Sequence, residues 1–307
     1  MAGTAERPLA VVGATGYIGR KLTLELLERG ETVRAIVRSP GKAEDLADGG
    51  AEVVKADVLE DEGLVEALAD VSVAYYLVHS MGRGATDNAF AQRDKQGAEN
   101  FGAAAKAAGV DLIIYLGGLG VEGSEHLSSR HKTALILRES GVPVTYVRAA
   151  VVIGGGSESF LLNYQLVRRL PAFPTPRRAR TKTQPIGVAD VLRYLAEIPA
   201  IAAAHGRDIE IGGPDVTTYG GMIDAMARAL DIAPRPRLAI PFLRPGHTSL
   251  AANLLTSADK GIAGPLMNGM EVETIVKDPS GMALFDFEPM SIDEAMKAAL
   301  EERNNGG

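Results

Sequence analysis

The stretch "VVGATGYIG", residues 11–19, decides the fold. An apolar run from Leu9 to Val12 ends at Gly13, and Gly16 and Gly19 follow before apolar residues begin to recur at helical spacing, at Ile18, Leu22, Leu26 and Leu27. A strand, a glycine turn and a helix in that order form the opening of a βαβ unit. Glycine permits the tight turn and lets the backbone approach a pyrophosphate, while the free N–H groups and positive dipole end of the helix face it. The residues expected to cradle a dinucleotide here are Gly13, Thr15, Gly16, Tyr17, Ile18 and Gly19. A plain strand–helix turn is the alternative.

The same alternation continues downstream. Strands are expected at Thr32–Val37, Glu52–Ala56, Val71–Val78, Leu112–Leu116 and Val142–Val147, with helices at 17–29, 61–69, 88–108 and 125–140 between them. The strands are near-continuous apolar runs, as in a parallel sheet covered on both faces. The fold class is therefore α/β, a Rossmann-type doubly wound parallel sheet. After Ile153 the pattern loosens: helices are expected at 157–170, 187–198, 219–230, 248–258, 259–269 and 291–303, with one more strand at Asp208–Ile211. This predicts a dinucleotide-binding core over 1–153, to which 182–212 returns, and a smaller, mostly helical substrate lobe over 154–181 and 213–307.

Composition narrows the function classes. The chain has 307 residues, 46% of them hydrophobic, enough for a sizeable core. With 39 acidic against 32 basic residues the net charge is −7, which argues against nonspecific nucleic-acid binding. There is no cysteine, hence no disulfide, thiolate nucleophile or thiolate-bound zinc. The five histidines show no ligand spacing with carboxylates, so no metal site is expected. Neither a signal peptide nor a membrane span is expected from the apolar runs, and a cytoplasmic monomer or homodimer acting on a small molecule is the simplest reading.

The end of the second strand should read the adenosine ribose. An acidic residue there would hold the 2′-hydroxyl of NAD, but the sequence has Arg38, with Ser39 and Lys42 nearby. A guanidinium about 20 residues past the glycine turn suits a 2′-phosphate, so NADP is expected rather than NAD. A solvated surface arginine is the alternative. Asp57 and Val58 end the third strand and are expected beside the adenine; Val78, His79 and Ser80 end the fourth, in the crevice where ligands bind.

Several blocks together carry a family likeness: "GATGYIG" (13–19), "VRAIVRSP" (33–40), "KADVLED" (55–61), "YYLVHSMG" (75–82), "DKQGAENFGAAAKAAGV" (94–110), "ESGVPVTYVRAAVVIGGGS" (139–157) and "QPIGVADV" (184–191). The chain resembles the atypical branch of the short-chain dehydrogenase/reductase superfamily, near the NmrA-like and complex I accessory-subunit-like NAD(P)-binding proteins. "LVHSMG" with "HLSSR" is similar to a bacterial subgroup of it. The resemblance implies a Rossmann fold and a dinucleotide, with Gly117 and Ala150 added to the cofactor site.

It does not carry over the chemistry. Active relatives place a Ser after the fifth strand, a Tyr and a Lys one turn apart on the next helix, and an Asn on the helix before. Here those positions hold Gly117 and Gly118, His126, Arg130 and Asp94. His126 and Arg130 are four apart and share a helix face. Arg130 donates hydrogen bonds but keeps its proton near neutral pH, whereas His126 can release one. His126 and Arg130 are thus catalytic candidates, with His79 as a second acid; alternatively they only hold the cofactor, or face solvent. His131 and His247 have weaker claims. Arg177, Arg178, Arg180 and Lys182 form a basic segment that is either an anion site or a solvated loop. Phe160, Leu161, Leu162, Phe242, Leu266, Met267 and Met270 are either a substrate pocket or the lobe's own core. Two functions follow: an NADPH-dependent reductase of a small, largely apolar carbonyl or enone, or a non-catalytic NADP(H)-sensing regulator or assembly subunit.

Overall fold

The computed structural model describes residues 7–60, 63–79, 87–120, 125–170, 172–175, 180–233, 236–239 and 272–306; of 87–90, 125–126, 173–175 and 237–239 it describes the backbone alone. The expected helices at 248–258 and 259–269, together with Phe242, His247, Leu266, Met267 and Met270, lie outside the described residues, as do Ser80, Arg177 and Arg178.

In chain order the core comprises β1 (Leu9–Val12), α1 (Tyr17–Glu28), β2 (Val33–Val37), α2 (Glu44–Asp48), β3 (Glu52–Lys55), α3 (Leu64–Ala67), β4 (Val73–Tyr76), α4 (Asp87–Ala108), β5 (Leu112–Gly118), α5 (Glu125–Glu139) and β6 (Val144–Ala149). There follow β7 (Val152–Ile153), α6 (Glu158–Arg169), β8 (Phe173–Thr175), β9 (Lys182–Thr183), β10 (Ile186–Gly187), α7 (Val188–Glu197), β11 (Asp208–Ile211), β12 (Thr217–Thr218), α8 (Tyr219–Ala229), β13 (Arg237–Ala239) and α9 (Ile292–Asn304). Seven strands form one sheet in the order β11-β6-β5-β4-β1-β2-β3, and every pairing in it is parallel. The Rossmann-type sheet is as the sequence predicts.

The parity of each strand divides the core. Leu9, Val11, Tyr75, Leu112 and Ile114 pack with Leu22 and Leu26 of α1 and Val191 and Leu195 of α7. Ala10, Val12, Ala74, Tyr76, Ile113, Tyr115 and Tyr146 face the other way, toward Phe101 of α4 and Leu137 of α5. All four residues of β1 are buried, because helices cover both faces and the period-two alternation of a half-exposed strand is lost.

A third core gathers Ile153, Phe160, Tyr164 and Val167 with Tyr219, Met222, Met226, Met296 and Leu300. Phe160 is 1% exposed and Leu162 3%. Of the two readings open for these side chains, lobe core is the one the packing favours. The sheet also differs from the sequence in its edges. β5 runs two residues further than the apolar pattern, because Gly117 and Gly118 stay in register with Arg148 and Ala149. β6 starts at Val144, since Pro143 lacks an N–H to donate, although its carbonyl accepts from Ile113 at 2.9 Å. Within the expected helix at 61–69 the described residues hold α3, and α2 and the three two-stranded pairs had no periodic signal.

Candidate functional site

The carboxyl ends of β1, β2, β3 and β4 open onto a cavity of about 360 Å³. Gly13, Thr15 and Gly16 line it, together with Arg38, Asp57 to Leu59 and Tyr76 to His79. Gly13 has φ +87°, and a Cβ there would lie 2.9 Å from the Leu77 carbonyl oxygen, so only glycine lets the loop approach β4 this closely. Gly16 is the N-cap of α1 and no side chain caps that helix. Its first-turn N–H groups therefore have no side-chain acceptor, as an anion-binding helix terminus requires. At Gly19 an added Cβ would collide with the Gly13 carbonyl, so this glycine serves helix–loop packing.

Arg38 follows the last residue of β2, is exposed and lines the cavity. Asp57 also lines it, and its Oδ1 accepts the Leu59 N–H at 3.0 Å, which shapes the turn after β3. Arg93 and Asp94 of α4 complete the lining. Arg93 carries no sequence signal, because a charge on an amphipathic helix reads as a solvated face. The cavity thus brings together Gly13, Thr15, Gly16, Arg38, Asp57, Val58, Val78 and His79. Tyr17, Ile18, Gly19, Gly117 and Ala150 do not line it.

Tyr17 turns away from the cavity. Its hydroxyl donates to Glu302 of α9, whose carboxylate also accepts the Gly155 N–H at 2.9 Å and pairs with Lys21 at 2.9 Å. Burial opposes ionisation of Glu302, but the hydrogen bonds from Lys21, Gly155 and Tyr17 outweigh it and hold the carboxyl below its ordinary range. Burial, with the neighbouring carboxylate, raises the Tyr17 phenol. The glycines at 154 and 156 make room for this ring: a Cβ at Gly156 would lie 2.6 Å from Tyr17 Cε2.

A second cluster runs from the middle of β5 and β6 to the end of β5. Tyr115 and Tyr146 stack with ring centroids 5.3 Å apart, and the His79 ring meets Tyr115 edge-on at 6.1 Å. A Cβ at Gly117 would lie 2.8 Å from the Tyr146 hydroxyl. At Gly118 it would lie 3.9 Å from Arg130 Nη1. Ser129 donates to Asp94 at 3.4 Å, tying α5 to α4. Leu127 Cδ2 lies closer to the Cβ position at Gly118, at 2.5 Å, so Arg130 lies near the end of β5 beyond Leu127; the His126 side chain lies outside the described residues. Arg180 is exposed, as is Lys182 in β9, in keeping with a solvated segment. Among the described residues no group of His, Asp and Glu could hold a metal ion, and no helix is long and apolar enough to cross a membrane.

Comparison with known proteins places this geometry. The NAD(P)H-binding family matches residues 13–199. A farnesylated dihydroquinoline-oxide ketoreductase of Stigmatella aurantiaca is 32% identical over 106 residues, 34% of this chain and 32% of that protein. Alpha-subcomplex subunit 9 of the mitochondrial NADH dehydrogenase of Arabidopsis thaliana is 29% identical over 248 residues, 76% of this chain and 60% of the relative. The chain thus spans about a third of one relative's length and under two thirds of the other's. Among solved structures, the NADPH complex of quinone oxidoreductase QOR2 from Escherichia coli superposes with a TM-score of 0.76 at 22% identity, covering 94% of this chain and 98% of that one, a likeness of fold. The chain belongs to the NAD(P)H-binding family.

Proposed function

We propose that this member of the NAD(P)H-binding family is a reductase that uses NADPH to reduce a small, largely apolar carbonyl or enone. The observation that carries the reading is the cavity at the ends of β1 to β4, lined by Gly13, Gly16 and Arg38, with an uncapped helix terminus. The residues fit a dinucleotide: Gly13 and Gly16 leave space for the pyrophosphate, the first turn of α1 offers N–H donors, and Arg38 takes the 2′-phosphate. Arg93, also in the lining, adds a second cation. When bound, the reduced nicotinamide supplies a hydride. His126 is the proposed proton donor to the substrate oxygen and His79 the second. In the domain division that goes with this, 1–153 and 182–212 hold the cofactor and the lobe of 154–181 and 213–307 selects the substrate.

Support comes also from the names of similar proteins, a ketoreductase and a quinone oxidoreductase. A turnover assay with NADPH and a panel of quinones, aldehydes and enones, following the absorbance of the reduced cofactor, tests the reading. Cofactor binding without oxidation across the panel would overturn it.

Two observations favour a second reading. The Ser, Tyr, Lys and Asn of active relatives are all replaced, and one similar protein is a subunit of a larger complex. A chain that binds NADP(H) without turning it over fits both facts, and the same assay separates the two.

A further inference from the structure

Buried hydrogen-bond donors without acceptors are rare, and each one in a native structure needs an explanation. Four buried polar atoms have no hydrogen-bond partner among the described residues: the Tyr115 hydroxyl, Arg130 Nε, Arg148 Nε and His131 Nδ1, the last a donor or an acceptor according to its tautomer. Arg130 and His131 lie near Tyr146: its ring is 6.2 Å from that of His131, and its hydroxyl lies over Gly117 while Arg130 lies near Gly118, beyond Leu127. A guanidinium N–H buried without an acceptor is costly, far more so than a neutral group. The place is the carboxyl end of β5, where ligands of open parallel sheets bind. Two adjacent glycines there present no side chain: the Tyr146 ring lies over Gly117, Leu127 Cδ2 lies over Gly118 with the Arg130 side chain beyond it, and the Tyr115 ring stacks on Tyr146.

We propose that Tyr146 and Arg130 form an oxygen-binding site that holds the substrate carbonyl oxygen and stabilises the negative charge it gains during reduction. This rests on the reductase reading and deepens it. Burial first of all raises the Tyr146 phenol, and the nearby Arg148 and Arg130 cations only moderate the shift, so the hydroxyl stays protonated through the neutral range and acts as a donor. The Arg130 guanidinium has donors and no acceptor. Neither group is the acid. The hydride adds to the carbonyl carbon, the C=O electron pair moves to oxygen, and that oxygen accepts donors from Tyr146 and Arg130. It then takes a proton from the histidine donor, which water reprotonates. Donors fixed in a dry site stabilise developing charge without reorganising.

The test uses the full chain, menadione as substrate, and dimedone as a probe whose enolate oxygen mimics the charged product oxygen. Tyr146→Phe keeps the ring and its packing. It is expected to lower kcat with menadione roughly ten- to a hundredfold while leaving the melting temperature and the calorimetric NADPH affinity unchanged. Dimedone should bind the NADP⁺ complex of the parent protein, and Tyr146→Phe and Arg130→Met should each weaken that binding by roughly tenfold or more. If the parent binds dimedone through these two residues but oxidises no NADPH with any carbonyl, the reductase reading fails and the oxygen site stands. Dimedone binding that is absent from the parent, or equal in parent and variants, overturns the site whatever the turnover.

Discussion

Tyr17, the first residue of α1, and Glu302, near the end of α9, stand 285 positions apart and are joined by a hydrogen bond in which the phenol donates to both carboxylate oxygens, at 2.9 and 3.0 Å. The residue that follows the glycine turn is thereby fastened to the last helix of the chain. The same carboxylate takes the Gly155 N–H and the Lys21 ammonium, so three segments meet on one side chain.

This clasp should be pH-dependent in a defined direction. The folded-state carboxyl of Glu302 lies below its ordinary value, so its contribution is fully present above about pH 4.3 and is lost as pH falls through the lower folded value. Melting curves of the parent and of Glu302→Gln are expected to differ by a constant amount from neutral pH down to mildly acidic pH. The difference should shrink in strong acid. A gap that widens on acidification would contradict the assignment.

Glu302→Gln should also weaken NADPH binding several-fold, because Tyr17 begins the helix whose N–H groups face the pyrophosphate. Tyr17→Phe should do the same and, combined with Glu302→Gln, add little more, since both remove one interaction. Fully additive losses in calorimetry would show that the two side chains act independently.

Arg38→Ala is expected to cost roughly ten- to a hundredfold in NADPH affinity and to leave NADH affinity nearly unchanged, the value of one charge-assisted contact to a phosphate. Fluorescence titration of both cofactors measures it. Equal affinities for the two cofactors in the parent protein would remove Arg38 from the 2′-phosphate role.

The first two glycines of the turn should respond differently. A Cβ at Gly16 meets only the Gly13 carbonyl oxygen, at 3.2 Å, so Gly16→Val should fold while filling the space above the helix terminus and abolishing dinucleotide binding. Gly13→Val meets the Leu77 backbone and a positive φ, and it should lower the melting temperature as well. Unchanged cofactor binding in Gly16→Val would place the phosphate loop elsewhere.

His126→Phe tests the proposed acid. It should lower kcat by roughly two to four decades, the usual worth of a general acid, with NADPH affinity nearly intact. Turnover at the parent rate would move the role to His79, which lines the cavity and packs edge-on against Tyr115.

The Rossmann sheet was legible in the residues because its causes are local. Apolar runs such as "LAVV" and "VAYY" bury both faces of a parallel strand, glycines mark the phosphate turn, and helical spacing supplies the covering layers. Local pattern also located Arg38, Asp57 and His79, since strand ends in this topology face one crevice. The roles of Gly117, Gly156 and Glu302 had no such signal. Gly117 reads as the end of a strand, yet it continues the ladder because the Tyr146 ring from the neighbouring strand fills its side-chain space. The glycines at 154–156 read as a loose turn, yet they are bare because Tyr17 and α9 lie against them. Glu302 reads as one more charge on a terminal helix. Sequence by itself determined the strands of the main sheet, the long helices that cover it and the crevice at the strand ends, each set by hydrophobic period and turn chemistry within a few dozen residues. Only the tertiary structure decided which side chains close on the glycines, because those contacts join residues distant in the chain, and their geometry is set by strand register and helix packing rather than by any spacing along it.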